Sequence, residues 1–216
     1  MEKLTVLRSV AAPLAIDNCD TDQIMPKQFL RGIDKQGLDR GVFYNLRFDA
    51  DGRQRAGCVF NRPGFQGAAI LVAGPNFGCG SSREHAVWGL LQFGIRAVIA
   101  PGFGEIFYSN CFNNGLLAAR VTAQAGGEIL KHLSGAKPRE LEIDVAAAQI
   151  RGEGRVWPFE ISERHQAMLL GGLDMLDATL VDLPQIEAFG ARHEELFPWM
   201  ARLAGRRARE LSGSGR

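Results

Sequence analysis

From residue 69 onward the hydrophobic positions gather into runs. "AAILVAG", "RAVIAPG" and "LLAARV" are continuous apolar stretches of strand length, separated by two segments with helical spacing, "REHAVWGLLQFG" and "EIFYSNCFNNG". Strands that are apolar on both faces and alternate with helices predict a buried parallel sheet joined by right-handed crossovers, a mixed α/β fold. Further along, "TAQAGGEILKHLSG" predicts another helix and "ELEIDVAAAQIRGEGRVWPFEI" a hairpin turning at "GEG". "SERHQAMLLGG" predicts a helix capped by Ser162 and stopped by two glycines. Before residue 69 the pattern is broken. "KLTVLRSVAAPLAI" has strand character and runs into the polar turn "DNCDTD"; short helical pieces follow in "QIMPKQFLRGI" and "LDRGVFYNLRF", then the turn-rich "DADGRQRAG" and "FNRPGFQG". At the far end, "LPQIEAFGARHEELFPWMARLAG" predicts a last helix interrupted at Pro198, and "RRARELSGSGR" has the composition of a frayed tail.

Composition narrows the function classes. With 216 residues and 46% hydrophobic content, the chain supports one good-sized core. Its 25 Lys+Arg nearly balance 24 Asp+Glu, for a net charge of +1, so nothing marks a nucleic acid or an anionic membrane as the main partner, and a small molecule is the expected ligand. No apolar run approaches the length of a membrane span and no leader is apparent, which predicts a cytoplasmic protein. Cys19, Cys58, Cys79 and Cys111 contain no C-x-x-C pair. That spacing suits neither a zinc site nor a cluster site built from this chain alone, and reduced, unpaired thiols are expected.

The candidate chemistry sits in "NFGCGSSREHA", Asn76 to Ala86, straight after a predicted strand. A dinucleotide fingerprint begins with Gly78-x-Gly80, but its third glycine position holds Arg83, too bulky for close helix–strand packing. No G-K-[ST] follows, so the turn is not a P-loop. Neither serine has glycine on both sides at the offsets a hydrolase elbow requires. What survives is a glycine-bent turn with Ser81 or Ser82 at the opening of a helix, where unpaired N–H groups favour an anion. A serine there can be a plain N-cap. Arg83 argues for more: a cation beside a helix N-terminus opposes the macrodipole unless a negative group lies over it, and a substrate carboxylate held by a guanidinium fork is such a group. The same surroundings stabilise an alkoxide, so the turn suits proton abstraction next to a carboxylate in a lyase that removes and adds water.

These residues, with "DTDQIMPKQFL", "RAVIAPGFGEIFYSNCFNNGLL" and "RHQAMLLGGLD", closely resemble the small subunits of 3-isopropylmalate dehydratases in the aconitase superfamily, over about residues 4–183. The resemblance implies a swivelling β/β/α domain with a largely parallel sheet core over residues 1–183, a C-terminal helix over 184–204 and a disordered tail over 205–216. It implies a heterodimer or higher assembly with a large subunit that carries a [4Fe-4S] cluster, this chain binding no cofactor or metal itself and being active only in that assembly. The reaction implied is interconversion of 2- and 3-isopropylmalate through 2-isopropylmaleate in leucine biosynthesis; the alternative is the same chemistry on homocitrate or a methyl-substituted malate. By position, Ser81 matches the family's catalytic base, Arg83 its carboxylate clamp and Ser82 a supporting donor, while Glu84 and His85 brace the turn. Asp20, Thr21 and Asp22 correspond to a polar turn beside the site. In the loop that selects substrate, Arg31 would meet a second carboxylate, and Phe29 and Leu30 would line the alkyl group.

Overall fold

The computed structural model describes residues 1–30, 35–81, 83–135 and 137–200, with 203 and 207. The chain divides into two compact units, Met1–Asp174 and Met175–Arg216. In the first, a seven-stranded sheet is organised around β1 (Val6–Leu14), which serves two neighbours with its two halves. Residues Ala11 to Leu14 pair in parallel with β2 (Ile70–Ala73), and Val6 to Val10 pair antiparallel with a strand from much later in the chain. Between β1 and β2 lie two single-turn helices, α1 (Thr21–Ile24) and α2 (Tyr44–Arg47).

Beyond β2, helix α3 (Glu84–Gln92) leads to β3 (Ala97–Ala100), and α4 (Glu105–Asn113) leads to β4 (Leu117–Arg120), both strands adding in parallel. Every residue of β2 and β3 is buried, the structural counterpart of their uninterrupted apolar sequence. Helix α5 (Ala123–Leu133), capped by the Thr122 hydroxyl accepting from the Ala125 N–H at 3.1 Å, returns across β2 and β1. The mixed α/β class read from the sequence is therefore the observed one.

On the other side of β1 the strands β5 (Glu140–Asp144), β6 (Gln149–Gly152) and β7 (Arg155–Pro158) form an antiparallel meander, giving the order β4-β3-β2-β1-β5-β6-β7. This corrects the single hairpin expected there. "VAAAQ" looks like the middle of a long strand, yet Val145 to Ala148 make a turn with Ala148 at φ +50°, held by Asp144 Oδ1 accepting from the Ala147 N–H at 2.9 Å. The meander is fastened to α5 where the Trp157 indole donates to Glu128 at 3.0 Å. Helix α6 (Glu163–Gly171) has the expected ends: Ser162 Oγ accepts from the His165 N–H at 3.2 Å, and Gly172 closes it in the left-handed conformation.

The second unit contains α7 (Met175–Leu180) and α8 (Leu183–Leu196), the latter with Pro184 in its first turn. Helix α8 ends at Leu196, just before Pro198, whose ring disfavours helical backbone at Phe197. Of the tail beyond residue 204, only Arg207 is among the described residues.

Two imidazoles in the first unit make its stability acid-sensitive. His132, with a 3% exposed side chain, takes a contact from Arg139 Nη1 on Nδ1 at 3.2 Å. Because arginine only donates, that nitrogen must be unprotonated. Nε2 is buried with no partner among the described residues. His165 lies flat on the Phe112 ring at 4.0 Å, its Nδ1 equally unpartnered. Burial lowers both imidazole pKa values from the ordinary 6.5, with Arg164 adding to the effect at His165. The unfolded chain thus binds protons below the ordinary histidine value that the folded chain refuses. Stability is full above that value and falls as pH drops toward the lowered folded values. Thermal unfolding midpoints are expected to decline between about pH 7.5 and about pH 5; a flat profile over this window contradicts the assignment.

Candidate active site at the carboxyl ends of the parallel strands

Past Ala73 the chain leaves β2 as a bent extension, Asn76 to Ser81, with Asn76, Gly78 and Gly80 at φ +58°, +73° and +92°. The extension is fixed from both sides. Toward β1, the Gly78 N–H donates to Cys19 O at 2.7 Å and the Thr21 N–H donates to Cys79 O at 3.0 Å, which sets Asp20 beside Cys79 in a parallel bridge. Toward β3, the Phe77 N–H donates to Gly102 O at 3.0 Å and the Gly104 N–H to Phe77 O at 2.9 Å. The turn is thus a continuation of the parallel sheet beyond the carboxyl ends of β1, β2 and β3, the usual location of a site in such a fold.

Two glycines make this approach possible. A Cβ on Gly78 would stand 2.3 Å from Cγ of Phe107, and one on Gly104 would stand 2.5 Å from Gly78 O. Only bare backbone brings the start of α4 this close to the turn.

Helix α3 then begins with Arg83 as its N-cap, in extended backbone at φ −117°, ψ 104°. The Arg83 side chain does not itself cap the helix. Ser81 stands two residues before this cap position and is exposed, and among the described residues its hydroxyl has no partner. Ser82 lies outside the described residues. The anionic group over the cation at this helix end is supplied from within the chain, by Asp22, whose Oδ1 pairs with Arg83 Nη1. The Arg83 side chain is 19% exposed and that of Asp22 44%.

The polar stretch that opens α1 divides its work among three residues. Asp20 Oδ1 accepts from the Gln23 N–H at 2.7 Å and so caps α1. Thr21, 2% exposed, donates its hydroxyl to the carbonyl of Ser81 at 3.0 Å. Asp22 holds Arg83. Behind the turn, Asn114 at the end of α4 donates Nδ2 to Glu84 at 2.7 Å and accepts from the Trp88 indole at 2.9 Å, while the His85 ring packs on Trp88 at 4.8 Å. Sequence reasoning missed Asn114, since no motif surrounds it; a polar residue closing the helix that faces the turn was its only signal. It likewise missed the pairing of Asp22 with Arg83.

In the following loop, Phe29 stacks obliquely on Tyr44 at 5.0 Å and fills the space above Gly41, and Leu30 is half-buried against the core. Arg31 lies outside the described residues. Where the chain is next described, Lys35 places its ammonium 4.0 Å from the Trp88 ring centre, returning the loop to α3. All four cysteines are free thiols. Cys19, beside the turn, has its thiol pushed up to about 12 by burial, then by Asp20 and Cys79, so it stays protonated and is no candidate base. Among the described residues no three His, Cys, Asp or Glu side chains come together as a metal-ligand group. Cavities of about 290 and 450 Å³ lie under the 44–68 loop, lined by residues such as Arg47 and Phe60 or Leu46 and Cys58; neither includes Ser81 or Arg83.

The site can be set against known proteins. The family described as the aconitase C-terminal domain matches residues 1–124. A 3-isopropylmalate dehydratase small subunit from Chromobacterium violaceum is 54% identical over 200 residues, 93% of this chain and 94% of that protein. The chain belongs to the 3-isopropylmalate dehydratase small-subunit family. A second small subunit, from Afipia carboxidovorans, is 47% identical over 93% of this chain and 100% of its own. The crystal structure of 3-isopropylmalate dehydratase from Methanocaldococcus jannaschii superposes with a TM-score of 0.61 at 26% identity, covering 86% of this chain and 99% of that one. This small-subunit family thus accounts for nearly the whole chain, and the 200-residue match takes in part of the second unit.

Proposed function

We propose that this chain is the small subunit of a cytoplasmic 3-isopropylmalate dehydratase, interconverting 2- and 3-isopropylmalate through 2-isopropylmaleate in leucine biosynthesis. One observation carries the mechanism: Ser81 is exposed and takes no part in capping α3, on a turn fastened to both neighbouring strands, two residues from a guanidinium fixed at the mouth of the helix. In this reading Ser81 removes and returns the proton on the carbon next to a substrate carboxylate. The N-terminus of α3 and the nearby cation lower the cost of the alkoxide that this requires. Arg83 grips that carboxylate by two donors and Ser82 adds a third. Phe29 and Leu30 border the alkyl group, and Arg31 meets the second carboxylate.

The exposure of Ser81 supports a site closed by a large subunit, whose [4Fe-4S] cluster supplies Lewis-acid chemistry toward the hydroxyl that leaves. The purified chain alone is expected to be colourless and inactive in hydrating 2-isopropylmaleate, and to become active when mixed with an iron-loaded large subunit. Substantial hydration by the isolated chain rules the partnership out. On the reconstituted enzyme, a higher kcat/KM for homocitrate than for isopropylmalate rules out the substrate.

A further inference from the structure

We propose that Thr21 and Asp22 are positioning residues for the reaction, Thr21 setting the place of Ser81 and Asp22 aiming Arg83. The inference rests on the roles given above to Ser81 and Arg83. Thr21 and Asp22, the first two residues of α1, touch the catalytic turn at three points, and each point bears on a different atom. The Thr21 N–H holds Cys79 O at 3.0 Å and the Thr21 hydroxyl holds Ser81 O at 3.0 Å, so one buried residue fixes the backbone on both sides of Gly80. At φ +92°, and with no atom closer than 3.5 Å to where its Cβ would be, Gly80 is otherwise free to bend. A catalytic hydroxyl on such a hinge needs an external anchor, because small displacements of a reacting group are costly in rate.

The cap of α1 is made by Asp20, not by Asp22. The Asp22–Arg83 pair is half-open to solvent on the Asp22 side, 44% exposed, which limits what it adds to stability. What it does is orient. Arginine carries five N–H donors in a planar fork, and Asp22 takes the contact at Nη1 alone. Among the described residues no other acceptor meets the guanidinium, and a carboxylate approaching in the plane of the fork would take the edge formed by Nε and Nη2. Asp22 also keeps the cation at the start of α3, from which the macrodipole would otherwise repel it.

The test uses the chain reconstituted with its large subunit and whichever malate the wild-type assembly turns over fastest, so that a wrong choice of substrate does not decide it. Thr21→Val keeps the shape and removes the hydroxyl; it is expected to lower kcat by about 10- to 100-fold with KM nearly unchanged. Asp22→Ala is expected to raise KM by about 10-fold or more and to lower kcat as well, the pattern expected of Arg83→Lys, with Asp22→Glu recovering part of the loss. A structural role alone would shift the unfolding midpoint and the fraction of active enzyme without separating KM from kcat in this way. Kinetic constants within about 2-fold of wild type for both variants, or a lower KM in Asp22→Ala, overturn the inference, the second by showing that Asp22 competes with the substrate for Arg83.

Discussion

Replacing Ser81 with alanine lowers kcat of the reconstituted enzyme by about 10²- to 10⁴-fold while KM stays near its wild-type value. The size follows from the role: a general base acts mainly in the transition state, and among the described residues neither nearby thiol can take its place. Cys79, the nearest thiol in sequence, directs its Sγ toward Asn18 O at 3.5 Å, and Cys19 is held protonated by burial. The variant should fold as well as wild type, because the side chain is exposed and the cap position of α3 belongs to Arg83. Steady-state kinetics and a melting curve on the same preparation separate these effects. A kcat close to wild type with an intact fold shows that the base is another group, Ser82 being the first to examine.

Gly78→Ala is expected to destabilise the chain by about 2–5 kcal/mol, from two independent terms. The backbone there is left-handed at φ +73°, a conformation that costs an L-residue about 1–2 kcal/mol. The new methyl would also land 2.3 Å from the Phe107 ring, which is 3% exposed and packed edge-on against Phe77 at 5.4 Å, so it cannot yield; such overpacking costs about 1–3 kcal/mol. Gly80→Ala carries only the conformational term, since the nearest atom to its Cβ would be Asp20 Cβ at 3.5 Å. Denaturant titrations of the two variants should therefore rank Gly78→Ala clearly below Gly80→Ala. Equal losses, or the reverse order, contradict the close packing of the turn on α4.

The elements of the parallel half were legible because each declares itself locally. β2 and β3 are runs with no polar interruption, a pattern only a strand covered on both faces sustains, and Thr122 and Ser162 mark helix starts by chemistry that acts within one turn. The family was legible for a similar reason, since its motif occupies consecutive residues. The meander was misread as one hairpin because the Val145–Ala148 turn is built from apolar residues, and the hydrogen bond that stabilises it comes from Asp144 rather than from a glycine. Helix α7, six residues long and closely following the glycine-ended α6, was not separated from its surroundings in the sequence.

The sequence by itself determined the α/β class, the family, and the residue types that the turn carries: two glycines, two serines and an arginine. Only the tertiary structure decided what holds them. The register that sets Ala11 beside Ile70 continues past the ends of β1 and β2 to set Asp20 beside Cys79, and so brings Thr21 to Ser81 and Asp22 to Arg83 across a sequence separation of 60 residues or more. Register depends on which side chains fill the space between sheet and helices, and a slip of one residue would turn Thr21 and Asp22 to opposite sides. No local pattern encodes that outcome, because it is settled by packing along the whole of β1 and β2.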